Sequence, residues 1–218
     1  MAVRPAGAKT AEAIRSAAVD LFFKHGYQTT TLREIAAAVG IQVGSLYNHI
    51  PSKEKLLYSI MSGVMEDLLA TLEAALAPHT RPIERLRAAV ECHVMFHAER
   101  AREVFVGNSE LRSLEPRRRK AVVALRDRYE AMFREILEDG ARAGLFHVSD
   151  AKLLTYAIVA TGTQVSAWYR PRGRLTLQQI ASVYSDFVLR GLTNKKSYAP
   201  FGEVLGTWPL PTNARSSA

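Results

Sequence analysis

A single cysteine, Cys92, stands in the 218 residues. That excludes an internal disulfide framework and a cysteine-based zinc site, and it fits a reducing compartment. No long uninterrupted apolar run occurs, so no membrane-spanning helix is expected. No apolar signal region follows the first basic residue, so export is not expected and the chain reads as cytoplasmic. Stretches of strict apolar–polar alternation are also missing, which removes the usual signature of half-buried strands. The catalytic fingerprints G-x-S-x-G, the P-loop and the dinucleotide-binding glycine pattern are absent. Around Ser109 the run GNSEL lacks the final glycine of the first of these. The chain is therefore read as no enzyme, with no cofactor. Nor is charge concentrated anywhere. The net charge is +8, yet residues 1–60 hold seven Lys/Arg against four acids, an excess of only three. The basic balance favours a polyanionic partner but locates no face for it.

What is present is ample material for a helical core, with 48% hydrophobic and 23% charged residues. Residues 1–9 are short and basic. A helix is expected from about Thr10, with Ile14, Ala17, Ala18, Leu21 and Phe22 on one face and Gly26 as its stop. Thr31 with Glu34 three residues later makes a capping box before the short stripe Leu32, Ile35, Ala36, Val39. Gly40 ends that helix. A third helix is expected over 43–50, closed by Pro51, and a fourth from Ser52 to about Leu76. After a break at 77–82, further helices are expected over about 82–98, 102–112, 116–142, 150–169 and 176–192. Pro82 and Pro116 open two of them, where a missing N–H costs nothing. The fold class is all-α. A helix-turn-helix domain is expected over 10–55 and a larger helical ligand-binding and dimerisation domain over 56–192. A Pro/Gly/Ser-rich tail, 193–218, is read as loosely ordered, with Tyr198, Phe201 and Trp208 able to dock on the body.

Residues 31–50 carry the functional signal. Two short helices meet at Gly40-Ile41-Gln42, where glycine can adopt the left-handed conformation a tight turn needs. Ile41 and Leu46 are placed to plug the angle against Ile35, Ala36 and Phe22. The second helix begins small (Val43, Gly44, Ser45) and is polar at Gln42, Ser45, Asn48 and His49. The major groove of B-DNA admits one α-helix, and such side chains bond base edges there. Tyr47 and His49 suit phosphate oxygens, as does Lys53 at the start of the next helix. The alternative is a helical small-molecule-binding protein that never touches DNA.

The run TTLREIAAAVGIQVGSLYNHIPSKEKLL, preceded by AAVDLFFKHGYQTT, resembles the N-terminal signature of the TetR family of bacterial transcriptional regulators over residues 10–57. The resemblance implies a homodimer on a palindromic operator, released when a small molecule binds the C-terminal domain. By position it implies that Thr31 meets phosphate, that Gln42, Val43, Gly44, Ser45 and Asn48 face the groove, and that Tyr47, His49 and Lys53 grip the backbone. Further on, AGLF at 143–146 and VSAWYRPRGRLTLQQIASVYSDFVLRGL at 165–192 are similar to regulators of fatty-acid and sterol degradation, some of which sense acyl-CoA thioesters.

Polar residues inside apolar helices mark the candidate effector pocket, because ligand sites set a few polar groups on apolar walls. His93, Phe96, His97, Tyr129, Phe133, Thr161, Gln164 and Trp168 are the candidate lining. His93 and His97 share a helix face at a spacing able to chelate a metal. No third ligand is evident, however, and a core or pocket pair is the preferred reading, so no metal is assigned. Arg117-Arg118-Arg119-Lys120 opens a helix with cations, against the helix dipole. It is read either as a solvated face or as an attractor for an anionic effector such as CoA phosphates. The resemblance places the dimer interface on the last two helices, with Ala157, Ala160, Val183, Phe187 and Leu189 as contributors. The expected partners are thus operator DNA, a small hydrophobic or acyl-CoA-like effector and a second copy of the chain, with no membrane.

Overall fold

A computed structural model describes residues 6–193. The expectation for the tail, with Tyr198, Phe201 and Trp208, lies outside the described residues. The elements run α1 (Ala6–His25), α2 (Leu32–Val39), α3 (Val43–Tyr47), α4 (Lys53–Leu76), α5 (Pro82–Glu99), α6 (Ala101–Ser109), a 3-10 turn (Leu111–Ser113), α7 (Pro116–Arg142), α8 (Ala151–Thr163), α9 (Val165–Trp168) and α10 (Leu177–Leu192). Among the described residues the only β feature is an isolated bridge between Phe146 and Thr193.

Several boundaries differ from expectation for identifiable reasons. α1 begins at Ala6, since alanine and lysine around Gly7 are good helix formers and nothing there stops the helix. α3 ends at Tyr47 rather than Ile50, because Asn48 already closes it with a bond to the Ser45 carbonyl. The stretch 150–169 breaks at Gln164 into α8 and α9. The expected helix at 102–112 ends at Ser109 and passes into the 3-10 turn.

Where capping chemistry was legible, the structure uses it. Thr31 Oγ1 accepts from the Glu34 amide at 3.2 Å, and Glu34 Oε2 accepts from the Thr31 amide at 2.7 Å. The Thr31 backbone and hydroxyl bonds hold the Glu34 carboxyl below its ordinary value. Such a cap stabilises a short helix by about 0.5–2 kcal/mol. Gly40 takes φ +74°, and its amide bonds back to the carbonyls of Ala36 and Ala37. Ser52 Oγ caps α4 through the Lys55 amide, and Thr176 with Gln179 forms a second capping box on α10.

Two apolar cores result. The smaller joins Ile14, Phe22, Ile35, Ala36, Leu46 and Ile50, with Ile41 packed against it. Residue 55 does not bound it. Leu56, Leu57, Ile60 and Met61 of α4 belong to it, and so do Val106, Leu114 and Val122 from the α6–α7 region. The larger core gathers α4 from Val64 onward with α5, α7, α8 and α10. α10 lies along α5, pinned by Arg87 to Asp186 at 3.0 Å and by Ser185 Oγ donating to Glu91 at 2.8 Å. α4 thus runs through both cores, a 24-residue rod joining them.

Candidate nucleic-acid interface and effector cavity

The helix-turn-helix presents its polar edge outward. Thr31, Gln42, Gly44, Ser45, Tyr47, Asn48 and His49 are exposed, and Val43 is half-buried. Leu46 alone of α3 is buried, fixing the helix by one anchor in the smaller core. Tyr47, a large aromatic, stands 53% exposed. Gly44 is the informative position. A Cβ added there meets nothing within 4 Å, so the protein's own packing gives no reason for a residue that costs more backbone entropy than alanine. His49, also exposed, borders a polar groove with Arg15 and Asp20 of α1.

Lys53 corrects one expectation. Its Nζ donates to the carbonyls of Tyr27 at 2.8 Å, Gln28 at 3.2 Å and Thr30 at 2.8 Å, and lies 4.5 Å from the centre of the Tyr27 ring. An ammonium has three N–H donors, and all are spent on the α1–α2 loop. Lys53 therefore locks the start of α4 to the approach of α2 instead of reaching for phosphate. No sequence rule signals carbonyls gathered from a distant loop. The Thr31 hydroxyl is likewise engaged within its capping box, donating to Glu34 Oε2 at 2.9 Å.

The basic run at the start of α7 also resolves differently. Arg118 pairs with Glu54 and lies 5.8 Å from the centre of the Tyr58 ring, while the Glu115 amide donates to Glu54 Oε1 at 3.2 Å. This cation is a clasp between α7 and α4. Arg117, Arg119 and Lys120 are exposed.

A cavity of about 160 Å³ lies where the two cores meet. Met61, Val64, Met65 and Leu68 of α4, Phe96 of α5 and Val159 of α8 form its apolar walls. Of the candidate lining residues, His93, His97 and Tyr129 also border this cavity, while Phe133, fully buried, stands behind against the Tyr129 and His93 rings. Thr161, Gln164 and Trp168 do not line it. They are exposed, Trp168 by 48%. The inward face of α8 is Thr155, Ile158 and Gly162. Thr163 enters the lining instead, and Gly162 is packed so closely that a Cβ would lie 2.4 Å from the His93 ring. Glu103, Asn108, Arg126 and Glu130 also line the cavity. None of these four was singled out in the sequence.

The histidine pair is a hydrogen-bond relay. His93 Nε2 lies 3.0 Å from the Val159 carbonyl, which can only accept, so Nε2 carries the proton. Nδ1 therefore accepts from the Tyr129 hydroxyl at 2.8 Å. His97 Nδ1 donates to the His93 carbonyl at 2.8 Å, which leaves its Nε2 as an acceptor. Burial, with His97 adjacent, pushes His93 well below its ordinary value, and burial pushes His97 down to about 4. Both rings are neutral at ordinary pH. Among the described residues no group of three His, Cys, Asp or Glu is placed to hold a metal.

With this geometry in hand, comparisons decide the family. A family model described as bacterial regulatory proteins, tetR family, matches residues 14–60. A second, described as tetracyclin repressor-like, C-terminal domain, matches residues 79–192. This chain belongs to the TetR family. The HTH-type transcriptional repressor KstR2 of Mycobacterium tuberculosis is 32% identical over 184 residues, spanning 82% of this chain and 90% of that protein. A TetR-family regulatory protein from Rhodococcus RHA1 superposes with a TM-score of 0.79 at 36% identity, covering 85% of this chain and 97% of that one. AibR, solved in complex with isovaleryl coenzyme A and operator DNA, superposes with a TM-score of 0.75 at 27% identity, covering 82% and 97%. The TetR assignment makes the chain a helix-turn-helix transcriptional regulator, and α1–α3 with the start of α4 form its N-terminal unit. Among the described residues no helix is long and apolar enough to cross a membrane.

Proposed function

We propose that the protein is a cytoplasmic, effector-controlled repressor. Residues 10–55 read a palindromic operator as one half of a homodimer, and residues 56–192 hold the effector and the partner. α3 enters the major groove with Gln42, Val43, Gly44, Ser45 and Asn48 toward base edges, while Thr31, Tyr47 and His49 approach the phosphates. The dimer sets two copies of α3 about one turn of DNA apart, ~34–36 Å, or a small multiple of that. KstR2 is named a repressor, and AibR was captured with an acyl-CoA and its operator. The first supports repression and the second a small hydrophobic or acyl-CoA-like effector; release of DNA on effector binding is the proposed mode of control.

The observation that carries the DNA-facing reading is Gly44, small on an exposed helix for no internal reason. Random-sequence DNA is selected on the full-length protein, and the enriched operator is then titrated against Gly44→Ala. The variant is expected to melt at or slightly above the parent temperature, since alanine is the better helix former. Its operator affinity is expected to fall at least about tenfold, the added methyl blocking close groove contact. Failure to enrich any DNA would overturn the regulator reading in favour of a pure sensor. Full operator affinity in Gly44→Ala would overturn the placement of α3.

A further inference from the structure

We propose that the cavity takes a compact acyl group presented as a neutral carbonyl derivative, and that Arg126 receives its carbonyl oxygen. This rests on the effector-controlled reading and adds to it the size and chemistry of the effector.

Size comes first. An apolar cavity of ~150 Å³ holds benzene, and this one measures about 160 Å³. A benzoyl or short branched acyl group matches that volume, and a steroid nucleus or a long alkyl chain exceeds it. Met61, Met65, Leu68 and Phe96 offer such a group apolar contact.

The polar wall selects the functional group. Arg126 makes no ion pair within 4.0 Å among the described residues. Its Nη2 donates to the Gly107 carbonyl at 2.9 Å and reaches Asn108 Oδ1 at 3.5 Å. A guanidinium carries five N–H donors, so donors remain for an oxygen entering the cavity. Glu130 attracts Arg126 without a contact within 4.0 Å, and an acceptor oxygen entering the cavity offsets more of the cost of burying the guanidinium. Glu103 and Glu130 line the same cavity. Glu103 pairs with Arg100 at 3.5 Å and Glu130 attracts Arg126, so the wall holds no uncompensated positive charge for a free carboxylate. A thioester-type carbonyl supplies the oxygen without the charge.

Arg126 also joins the site to the DNA-binding unit. Gly107 is in the last turn of α6, where carbonyls lack helical partners. The neighbouring Val106 is wholly buried in the smaller core, and Phe105 meets Phe23 of α1 with ring centres 5.1 Å apart. An acyl oxygen that draws Arg126 away from Gly107 loosens the end of α6 beside the residues that hold α1.

Calorimetry on the full-length protein with benzoyl-CoA, benzoate, palmitoyl-CoA, free coenzyme A and androstenedione tests the proposal. Operator titrations with and without each compound run in parallel. Benzoyl-CoA is expected to bind, with benzoate and free coenzyme A at least about tenfold weaker and palmitoyl-CoA and the steroid weaker still. Arg126→Gln should weaken benzoyl-CoA by about ten- to a hundredfold, the range for losing a hydrogen bond to a charged donor. Arg126→Lys should recover part of that loss. Far-ultraviolet circular dichroism confirms that both variants fold, and Val159→Phe, which fills the cavity and keeps Arg126, should also abolish binding. Benzoate binding as tightly as benzoyl-CoA overturns the neutral-carbonyl assignment. Palmitoyl-CoA or steroid preference, no binding by benzoyl-CoA, or parent affinity in Arg126→Gln overturns the proposal as a whole. Operator release by palmitoyl-CoA would leave effector control standing while this assignment falls. A protein that binds no operator defeats the regulator reading, and calorimetry still decides the cavity.

Discussion

At the scale of single residues, the histidine pair makes a pH dependence that the sequence did not announce. His97 is neutral in the folded chain down to about pH 4, whereas an unfolded histidine takes its proton near 6.5. Between these values the unfolded state binds more protons, so stability falls as pH falls through this window and is level above it. A shift from 6.5 to about 4 corresponds to roughly 3 kcal/mol lost by the lower end. His93, pushed down by burial and by His97, adds in the same direction. Urea unfolding from pH 7.5 to 4.5 should show the decline, and His97→Gln should flatten it in part; an unchanged slope would refute the assignment. Individual side chains were unevenly legible. His93, His97, Phe96 and Tyr129 were legible as cavity lining because ligand sites set a few polar groups on apolar walls. Thr161, Gln164 and Trp168 lie outside this cavity, since Gly162 sets the inward face of α8.

At the scale of elements, caps were readable because they are local. Thr31 with Glu34, Ser52, Pro82 and Pro116 all end or begin helices where their chemistry directs. The clasps between elements were not readable, since no periodicity records which distant carbonyls an ammonium will meet. Lys53 is the clearest case. Lys53→Met keeps the aliphatic stem beside Tyr27 and deletes the three bonds to the α1–α2 loop. It should destabilise the chain by about 2 kcal/mol, the scale for hydrogen bonds made by a charged group. Operator affinity should drop because α3 loses its fixed approach, yet the slope of log affinity against log salt should stay the same. A slope smaller by about one unit would return Lys53 to the phosphates.

At the scale of the whole molecule, α8 and α10 leave an apolar face uncovered. Leu153 is 65%, Tyr156 44%, Val183 41% and Phe187 68% exposed, with Ala157 and Ala160 beside them. Leu189, expected there, is fully buried against the larger core. A patch of this kind marks an interaction surface, and a second copy of the chain is the proposed occupant. Phe187→Glu should sediment as a monomer at micromolar concentration with its helicity retained; a dimer in that variant would move the interface elsewhere. The smaller core has a different consequence, for anyone wishing to move this DNA reader onto another sensor. Val106, Leu114 and Val122 fill the underside of the first four helices. A fragment cut after residue 60 would carry an open apolar wound, and a chimera joined there would inherit a foreign patch. The transplantable reader is discontinuous in sequence, the first sixty residues together with 106–122, and these two stretches must travel as a pair.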